Sequence, residues 1–250
     1  MFVPVVDPDQ HPLMPTTPAR AKRWIKRGKA TAFWKGGIFC VRLNVEPSAR
    51  EVQPVAIGID PGSKREGYSV LGAAHTNLNL QAEARDGVKT AEERSTRQRR
   101  TRRGRRTPCR KPRQNRQQSK KRLPPSTKAR WQWKLRLARF LCQLFPVRVF
   151  VVEDIKARTQ GKRRWDQRFS PLEVGKSWFY AELGQLAPVM TRQGYATKAL
   201  REQLGLKKTS QKLSEVWEAH CVDAWVLAYS AVGGMTIPDN RRLICIAPLN

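Results

Sequence analysis

Two short apolar runs, residues 55–59 and 147–152, have the pattern of strands buried inside a sheet. Both are rich in β-branched side chains, and acids follow each run directly: Asp60 after the first, Glu153 and Asp154 after the second. Short apolar runs bounded by turn residues are typical of interior strands. Because open α/β sheets place their chemistry at strand ends, these acids are candidates for a site at the rim of a sheet.

Apolar positions elsewhere predict the other elements of this part of the chain. Alternation is typical of half-buried strands, and apolar residues three and four positions apart indicate amphipathic helices. Together the patterns predict an α/β fold with a mixed sheet and flanking helices. The predicted elements are a hairpin of strands 67–74 and 78–84, helices at 131–144, 171–187 and 213–229, and a short strand at 195–197.

A separate small α/β domain is predicted for residues 1–50. Thr17 can cap a helix that takes Pro18 in its first turn and ends near Gly28. The helix carries five Lys or Arg and no acid, so its polar face is either solvated or a phosphate contact, and the lack of acids favours phosphate. The pattern adds a strand at 2–6, a turn at 7–9, a hairpin of strands 30–34 and 38–45, and a polar linker at 46–54.

The composition indicates a partner rich in negative charge. The 250 residues include 49 Lys and Arg against 20 Asp and Glu, a formal net charge of +29. Nucleic acid is the usual partner of such a surface, and the membrane alternative lacks a basic amphipathic helix or a lipidation motif. The five cysteines are scattered and form no Cys-x-x-Cys pair, which is typical of a reducing compartment. The sequence also has no apolar run of about 18 residues, the length of a membrane span. We therefore predict a soluble, cytoplasmic protein without a membrane partner.

Most of the excess charge lies in one run. Residues 94–130 contain 17 Lys or Arg and no acid or aromatic residue. Residues 92–107 are good helix formers with arginines on every side, so this helix has no apolar face to bury against protein. A like-charge block of this kind is usually a disordered tail, but its internal position favours nucleic-acid contact with ordering on binding. The candidate contacts are Arg94, Arg97, Arg99, Arg100, Arg102, Arg103, Arg105, Arg106, Arg110, Arg113, Arg116, Lys120, Lys121 and Arg122.

Asp60 alone has two interpretations, since Asp-Pro-Gly is good turn chemistry as well as a possible functional acid. Glu153 ends a second core strand, and Asp223 lies three residues after His220 in an apolar stretch of the third predicted helix. Unpaired carboxylates are costly in apolar surroundings, so convergence of the three on metal ions is the sharper interpretation. Carboxylates suit two Mg²⁺ ions, with Mn²⁺ as an alternative, and His220 can take a proton from water or orient it.

The same motifs resemble a known family. Gly58-Ile-Asp-Pro-Gly62, Val152-Glu153 and His220-x-x-Asp-Ala224 resemble the three split segments of a RuvC-type nuclease on a ribonuclease-H-like fold. The arginine run resembles a bridge helix, and Pro12-Leu-Met-Pro15 matches the motif of the N-terminal domain of the transposon-encoded IscB and IsrB proteins. The resemblance covers essentially the whole chain.

The resemblance implies a division of the chain and a function. The implied segments are an N-terminal domain (1–50), nuclease segment I (51–91), the bridge helix and basic linker (92–130), segment II with helices (131–192) and segment III (193–250). Family members imply a monomeric ribonucleoprotein in which a guide RNA pairs with target DNA. The implied catalytic set is Asp60, Glu153, His220 and Asp223, with the three acids as metal ligands.

Two departures refine this expectation. IscB-like members carry a second, HNH-type nuclease, but the 66 residues between Glu153 and His220 contain no histidine and no cysteine. This selects the IsrB-like interpretation, with one nuclease centre and one strand cut. The family's C-terminal module, which reads a short DNA motif, is expected to be absent or truncated, since 27 residues follow Asp223.

Three hypotheses therefore stand. The first is a Mg²⁺-dependent, RNA-guided nickase that cuts the displaced, non-target strand. The second is a structure-selective nuclease of the RuvC type that works without RNA. The third is a non-catalytic RNA-binding protein whose acids are structural.

Overall fold

Two β-sheets organise the chain. The computed structural model describes residues 2–84, 87–106, 123, 125–155, 171–234 and 237–248. The N-terminal sheet has the strand order β2-β1-β4-β3, and one helix, α1, packs on it. Its elements are β1 (Val3–Val6), β2 (Pro12–Thr16), α1 (Pro18–Lys26), β3 (Ala30–Lys35) and β4 (Ile38–Leu43).

Local signals in the N-terminal sequence form as predicted. Asp7 opens a turn closed by a hydrogen bond from the Gln10 N–H to its carbonyl oxygen, at 3.0 Å. The Thr17 hydroxyl accepts from the Arg20 N–H at 3.3 Å and caps α1. Strand β2 was not predicted because it contains prolines, which suit its position at the sheet edge.

The N-terminal sheet is attached to the rest of the molecule through its second face. Ile38 and Cys40 belong to the same buried cluster as the helices of the larger sheet. At Gly36, a β-carbon would lie 2.7 Å from the Phe140 ring, so the hairpin turn sits directly on that side chain. The two sheets therefore share a continuous apolar contact.

The larger sheet is mixed, as predicted. Its strand order is β10-β7-β6-β5-β8-β9, and only β6 runs antiparallel to its neighbours. The arrangement 3-2-1-4-5 of its first five strands is that of a ribonuclease-H-like sheet. The strands are β5 (Val55–Asp60), β6 (Arg65–Gly72), β7 (Thr76–Glu83), β8 (Val149–Asp154), β9 (Val189–Gln193) and β10 (Leu243–Ile246).

Helices cover both faces of this sheet. On one face, α3 and α4 pack together, with Trp131 and Phe179 in ring contact at 5.1 Å between centroids. On the other, α6 lies so close to β5 that a β-carbon at Gly58 would fall 1.8 Å from the Ala224 carbonyl oxygen. The helices are α2 (Val88–Arg106), α3 (Pro125–Cys142), α4 (Pro171–Gly184), α5 (Gly194–Gln203) and α6 (Cys221–Val232).

Two sequence predictions are wrong. Residues 195–197 lie in α5, and the strand precedes them, because β9 pairs in parallel with β8 before the chain turns into the helix. The helix predicted at 213–229 begins only at Cys221. Leu213 and Val216 supplied part of its apolar pattern, but their side chains are exposed, so they do not belong to a packed stripe.

Strand β10 was also not predicted. It pairs in parallel with β7 at the far edge of the sheet. The Asn79 side chain donates to the carbonyl oxygens of Asn240 and Arg242, at 2.9 and 3.3 Å, and thereby holds the preceding segment. A contact between positions so distant in sequence leaves no local pattern.

Candidate active site

Asp60 is the last residue of β5 and is 5% exposed. The Gly62 N–H donates to the Asp60 carbonyl oxygen at 3.1 Å and closes a tight turn after the strand. A β-carbon at Gly62 would fall 1.6 Å from the Arg65 carbonyl oxygen, so only glycine fits there. The sequence suggested a turn acid or a functional acid, and the turn is what fixes this carboxylate at the rim.

His220 faces Asp60 directly. Its Nδ1 lies 2.9 Å from Asp60 Oδ2, and its Nε2 lies 3.0 Å from the carbonyl oxygen of Lys212. Each ring nitrogen thus lies within hydrogen-bonding distance of an oxygen atom that can accept a hydrogen bond. In this arrangement both ring nitrogens are engaged by other groups of the protein, and the ring orients Asp60.

Glu153 lies beside Asp60 because β8 runs parallel to β5. The two carboxyl groups lie close enough for the charge of Asp60 to act on Glu153. Burial raises the pKa of Glu153 to about 7, and the negative charges of Asp60 and Asp223 add to the effect. Three acids therefore share one region of negative potential.

Asp223 lies in the first turn of α6 and is 3% exposed. Arg201 of α5 contacts its Oδ1, and Lys208 contacts its Oδ2. Lys208 Nζ also lies 3.9 Å from Asp60 Oδ2. Burial alone would raise the pKa of Asp60, but the hydrogen bond from His220 and the charge of Lys208 hold that pKa below its usual range.

The predicted quartet of Asp60, Glu153, His220 and Asp223 therefore meets at one rim. His220 immediately precedes α6, and Asp223 lies in the first turn of that helix. Sequence reasoning missed Arg201 and Lys208, which supply positive charge to Asp223. Lys208 lies in the basic stretch of residues 204–210, whose spacing gives no indication of a carboxylate partner.

A second buried network supports the turn after Asp60. Lys134 of α3 donates to the Gly62 carbonyl oxygen at 3.1 Å and contacts the carboxylate of Glu66. Glu66 also accepts from the Tyr68 hydroxyl at 2.8 Å. Lys134 and Glu66 are both buried, and each compensates the charge of the other, which would be costly if left unpaired in the interior.

Asp154 does not join the quartet. Lys176 donates to its Oδ1 at 2.6 Å, and Gln193 donates to its Oδ2 at 2.7 Å. Both partners lie on elements next to β8, so Asp154 fixes the end of that strand. Of the two acids that follow the apolar run, Glu153 is therefore the one that faces Asp60.

A cleft of about 860 Å³ opens beside these acids. Asp60, Glu153 and His220 line it together with Trp131 and a set of cations. Three of these cations have no acidic partner among the described residues: Lys64, Arg130 and Lys212. An acidic centre bordered by cations has the charge pattern of a site for a polyanion that reacts at the centre.

The arginine run forms a helix over its first part. In α2, every residue from Ala91 to Arg105 except Thr96 is exposed. None of its arginines forms an ion pair within the described part of the chain. The side chain of Arg106 and the predicted contacts Arg110, Arg113, Arg116, Lys120, Lys121 and Arg122 lie outside the described residues.

The donors at the rim suit a hard divalent cation. Three carboxylates crowd together, and the pKa of Glu153 is raised first by burial and then by the charges of Asp60 and Asp223, whose repulsion a cation would relieve. The donor atoms of another cluster, Asp7, Asp9 and His11, lie within 4.8 Å of one another. There the Asp7 carboxylate accepts hydrogen bonds from the His11 N–H at 2.8 Å and from Arg50 at 2.7 Å. These contacts explain the cluster without the need for a metal ion.

The strand order and the acids at the ends of β5 and β8 define a ribonuclease-H-like α/β protein. The family model of RRXRR proteins matches residues 3–165, more than half of the chain, and the protein belongs to that family. None of the curated proteins compared with the chain matches it. Among the described residues, no helix combines the length and the apolar character needed to cross a bilayer.

Solved structures with a similar course of the backbone include Holliday junction resolvases. RuvC of T. thermophilus in complex with a Holliday junction substrate is 14% identical, with a TM-score of 0.39, 73% of this chain covered and 98% of that one. A second structure of Thermus thermophilus RuvC is 14% identical, with a TM-score of 0.35 and coverages of 72% and 97%. The yeast mitochondrial resolvase Ydc2 is 12% identical, with a TM-score of 0.34 and coverages of 71% and 78%.

Proposed function

We propose that the protein is an RNA-guided endonuclease that nicks one strand of DNA at the rim of the larger sheet. The observation that carries this proposal is the meeting of Asp60, Glu153 and Asp223, which come from three separate elements, beside a basic cleft. A purely structural role would not require three acids to share one buried region, because each carboxylate raises the cost of its neighbours.

Asp60, Glu153 and Asp223 are the proposed ligands of two Mg²⁺ ions, or of Mn²⁺. Bound there, the ions would supply stabilisation of the negative charge that develops on the attacking and leaving oxygens. Arg201 contacts Oδ1 of Asp223 and thereby sets the orientation of that carboxylate. Lys134 keeps the turn after Asp60 in place through the Gly62 carbonyl.

His220 is the proposed positioning group of the centre. Its Nδ1 fixes Asp60, and Nε2 can face a water molecule in the cleft only after it leaves the Lys212 carbonyl oxygen. The cations Lys64, Arg130 and Lys212 at the cleft are placed to contact phosphates of the strand to be cut.

The guide RNA is the proposed partner of α2 and of the basic residues that follow it. The arginines of α2 have exposed side chains and no acidic partner within the described residues. Arginine suits phosphate contacts because its planar guanidinium donates two parallel hydrogen bonds. The resemblance to IsrB proteins supports the RNA-guided form of the activity, a single cut in the displaced strand and the five-segment division of the chain.

The decisive experiment expresses the chain with its flanking genomic DNA, sequences the RNA that co-purifies and tests nicking of a plasmid that carries the matching target. The substitution Asp60→Ala should reduce the nicking rate at least about a hundredfold, because a lost metal ligand removes several kcal/mol of transition-state stabilisation. RNA binding should be unchanged. Asp9→Ala, which alters an exposed acid of the N-terminal sheet, is the matched control.

The outcomes separate the three hypotheses. A discrete bound RNA with Asp60-dependent nicking supports the proposal. Asp60-dependent cleavage of branched DNA without RNA would instead identify a guide-independent nuclease. Equal nicking by Asp60→Ala and the parent would show that the nuclease assignment is wrong and leave an RNA-binding protein.

A further inference from the structure

Lys208 occupies a central position among the proposed metal ligands. Its Nζ contacts Asp223 Oδ2 and lies 3.9 Å from Asp60 Oδ2, so one ammonium group spans two of the three acids. Arg201 contacts the opposite oxygen of Asp223. Each oxygen of the Asp223 carboxylate therefore contacts a different cation. Arg201 contacts Oδ1, and Lys208, which also lies near Asp60, contacts Oδ2.

We infer that Lys208 and a divalent cation compete for the facing oxygens of Asp60 and Asp223. This inference rests on the proposed metal site. A divalent cation that binds both Asp60 and Asp223 needs the oxygens that Lys208 approaches. The cation and the Lys208 ammonium group would then be neighbours, and two positive charges a few Å apart repel each other strongly in a partly buried site. Lys208 is 26% exposed and lines the cleft, so its flexible side chain has room to withdraw. Arg201 is 13% exposed and remains to orient Asp223.

Withdrawal of Lys208 also affects His220. Lys208 and Lys212 lie on one segment, residues 204–213, which contains neither helix nor strand. This segment touches the rim at two points: the Lys208 side chain on Asp223, and the Lys212 carbonyl oxygen that accepts from His220 Nε2. The segment also stays anchored by the buried side chain of Leu206 and by the hydrogen bond from the Thr209 N–H to the Glu218 carbonyl oxygen at 3.1 Å. Loss of the Lys208 contact therefore loosens the segment only locally, where it weakens the hold of the Lys212 carbonyl on Nε2. Cation binding and the freeing of His220 are thereby linked through Lys208.

The first test measures Mg²⁺ binding by calorimetry on the full-length chain without DNA. Lys208→Met keeps the length of the side chain and removes its charge, and it should tighten Mg²⁺ binding by about tenfold or more, since a competing charge a few Å away contributes at least that much. Lys207→Met, at the exposed neighbouring position, is the matched control and should bind Mg²⁺ as the parent does. Lys208→Arg retains the charge and should show no tightening.

The second test is hydrogen exchange of the 204–213 amides. In the parent, Mg²⁺ should accelerate exchange in this segment. In Lys208→Met, exchange should already be fast without Mg²⁺ and should change little when Mg²⁺ is added. This readout is independent of catalysis and also reports whether the variant is folded, because the sheet amides should remain protected.

Mg²⁺ binding by Lys208→Met that is equal to or weaker than that of the parent would overturn the inference, and so would slower exchange of the segment on Mg²⁺ addition. Failure here is distinct from failure of the proposed nuclease. A parent that nicks in an Asp60-dependent way, with a Lys208→Met variant that binds Mg²⁺ no more tightly, refutes only the competition.

Discussion

Two charged regions of the molecule differ in whether their charges are paired within the chain: helix α2, and the acids at the rim of the larger sheet. Along α2, arginine side chains are exposed and have no acidic partner among the described residues. At the rim, Asp60 is paired with His220, Asp223 with Arg201 and Lys208, and Glu66 with Lys134, all with little exposure to solvent. The arginines of the helix are thus unpaired within the described part of the chain, whereas Asp60, Asp223 and Glu66 have cationic partners there.

The difference has an energetic reason. A guanidinium in water is well solvated and can stay unpaired at little cost, while a carboxylate in the interior loses its hydration and needs a partner at once. Removing charge from the rim should therefore weaken folding. Removing charge from α2 should weaken only the binding of a polyanion.

The largest expected effect on folding comes from Lys134→Ala. It leaves the Glu66 carboxylate buried without its cation and removes the hydrogen bond to Gly62, which should lower the free energy of unfolding by about 3–5 kcal/mol. Chemical denaturation measures this loss. Arg136→Ala, on the exposed side of the same helix, is the control and should change stability by no more than about 0.5 kcal/mol. Equal effects of the two substitutions would remove the contrast between buried and exposed charge.

The reverse result is expected on α2. Replacement of Arg99, Arg102 and Arg103 by alanine should leave the free energy of unfolding almost unchanged, because these side chains are exposed and alanine favours helix. RNA affinity should fall, and the slope of log affinity against log salt should become shallower by about 2, as three phosphate contacts are lost. A filter-binding titration over a range of salt measures this slope. An unchanged slope would mean that α2 does not contact phosphates.

The smallest expected effect concerns a compensated acid far from the rim. Burial alone would raise the pKa of Asp7, but Arg50 and His11 outweigh it and hold the pKa below the usual 3.8. A lowered folded-state pKa contributes stability that is present above about pH 4 and is lost as the pH falls through the folded value. Unfolding measured between about pH 5 and pH 2 should show a shallower acid decline for Asp7→Asn than for the parent. Parallel curves would contradict this linkage.

Local patterns in the sequence predicted most of the elements that surround the site. The apolar runs before Asp60 and Glu153 became adjacent parallel strands, because such runs have few stable positions outside a covered sheet. The Thr17 cap and the turn at Asp7 depend on neighbours a few residues away and also formed as predicted. By contrast, β10 and the start of α6 depend on partners more than 100 residues away and were missed or misplaced.

The roles of the predicted residues are proposals. Their positions distinguish the features that follow from local sequence from the contacts that exist only in the folded chain. The sequence by itself determined which residues carry charge, which runs are buried and where the strands end on acids, because side-chain hydrophobicity and turn chemistry act locally. Only the tertiary structure decided that Lys208 and Arg201 meet Asp223, that His220 lies between Asp60 and the Lys212 carbonyl oxygen, and that Asp154 turns toward Lys176. These contacts join elements across the chain, and their energy depends on burial, which exists only once the sheet and its helices have packed.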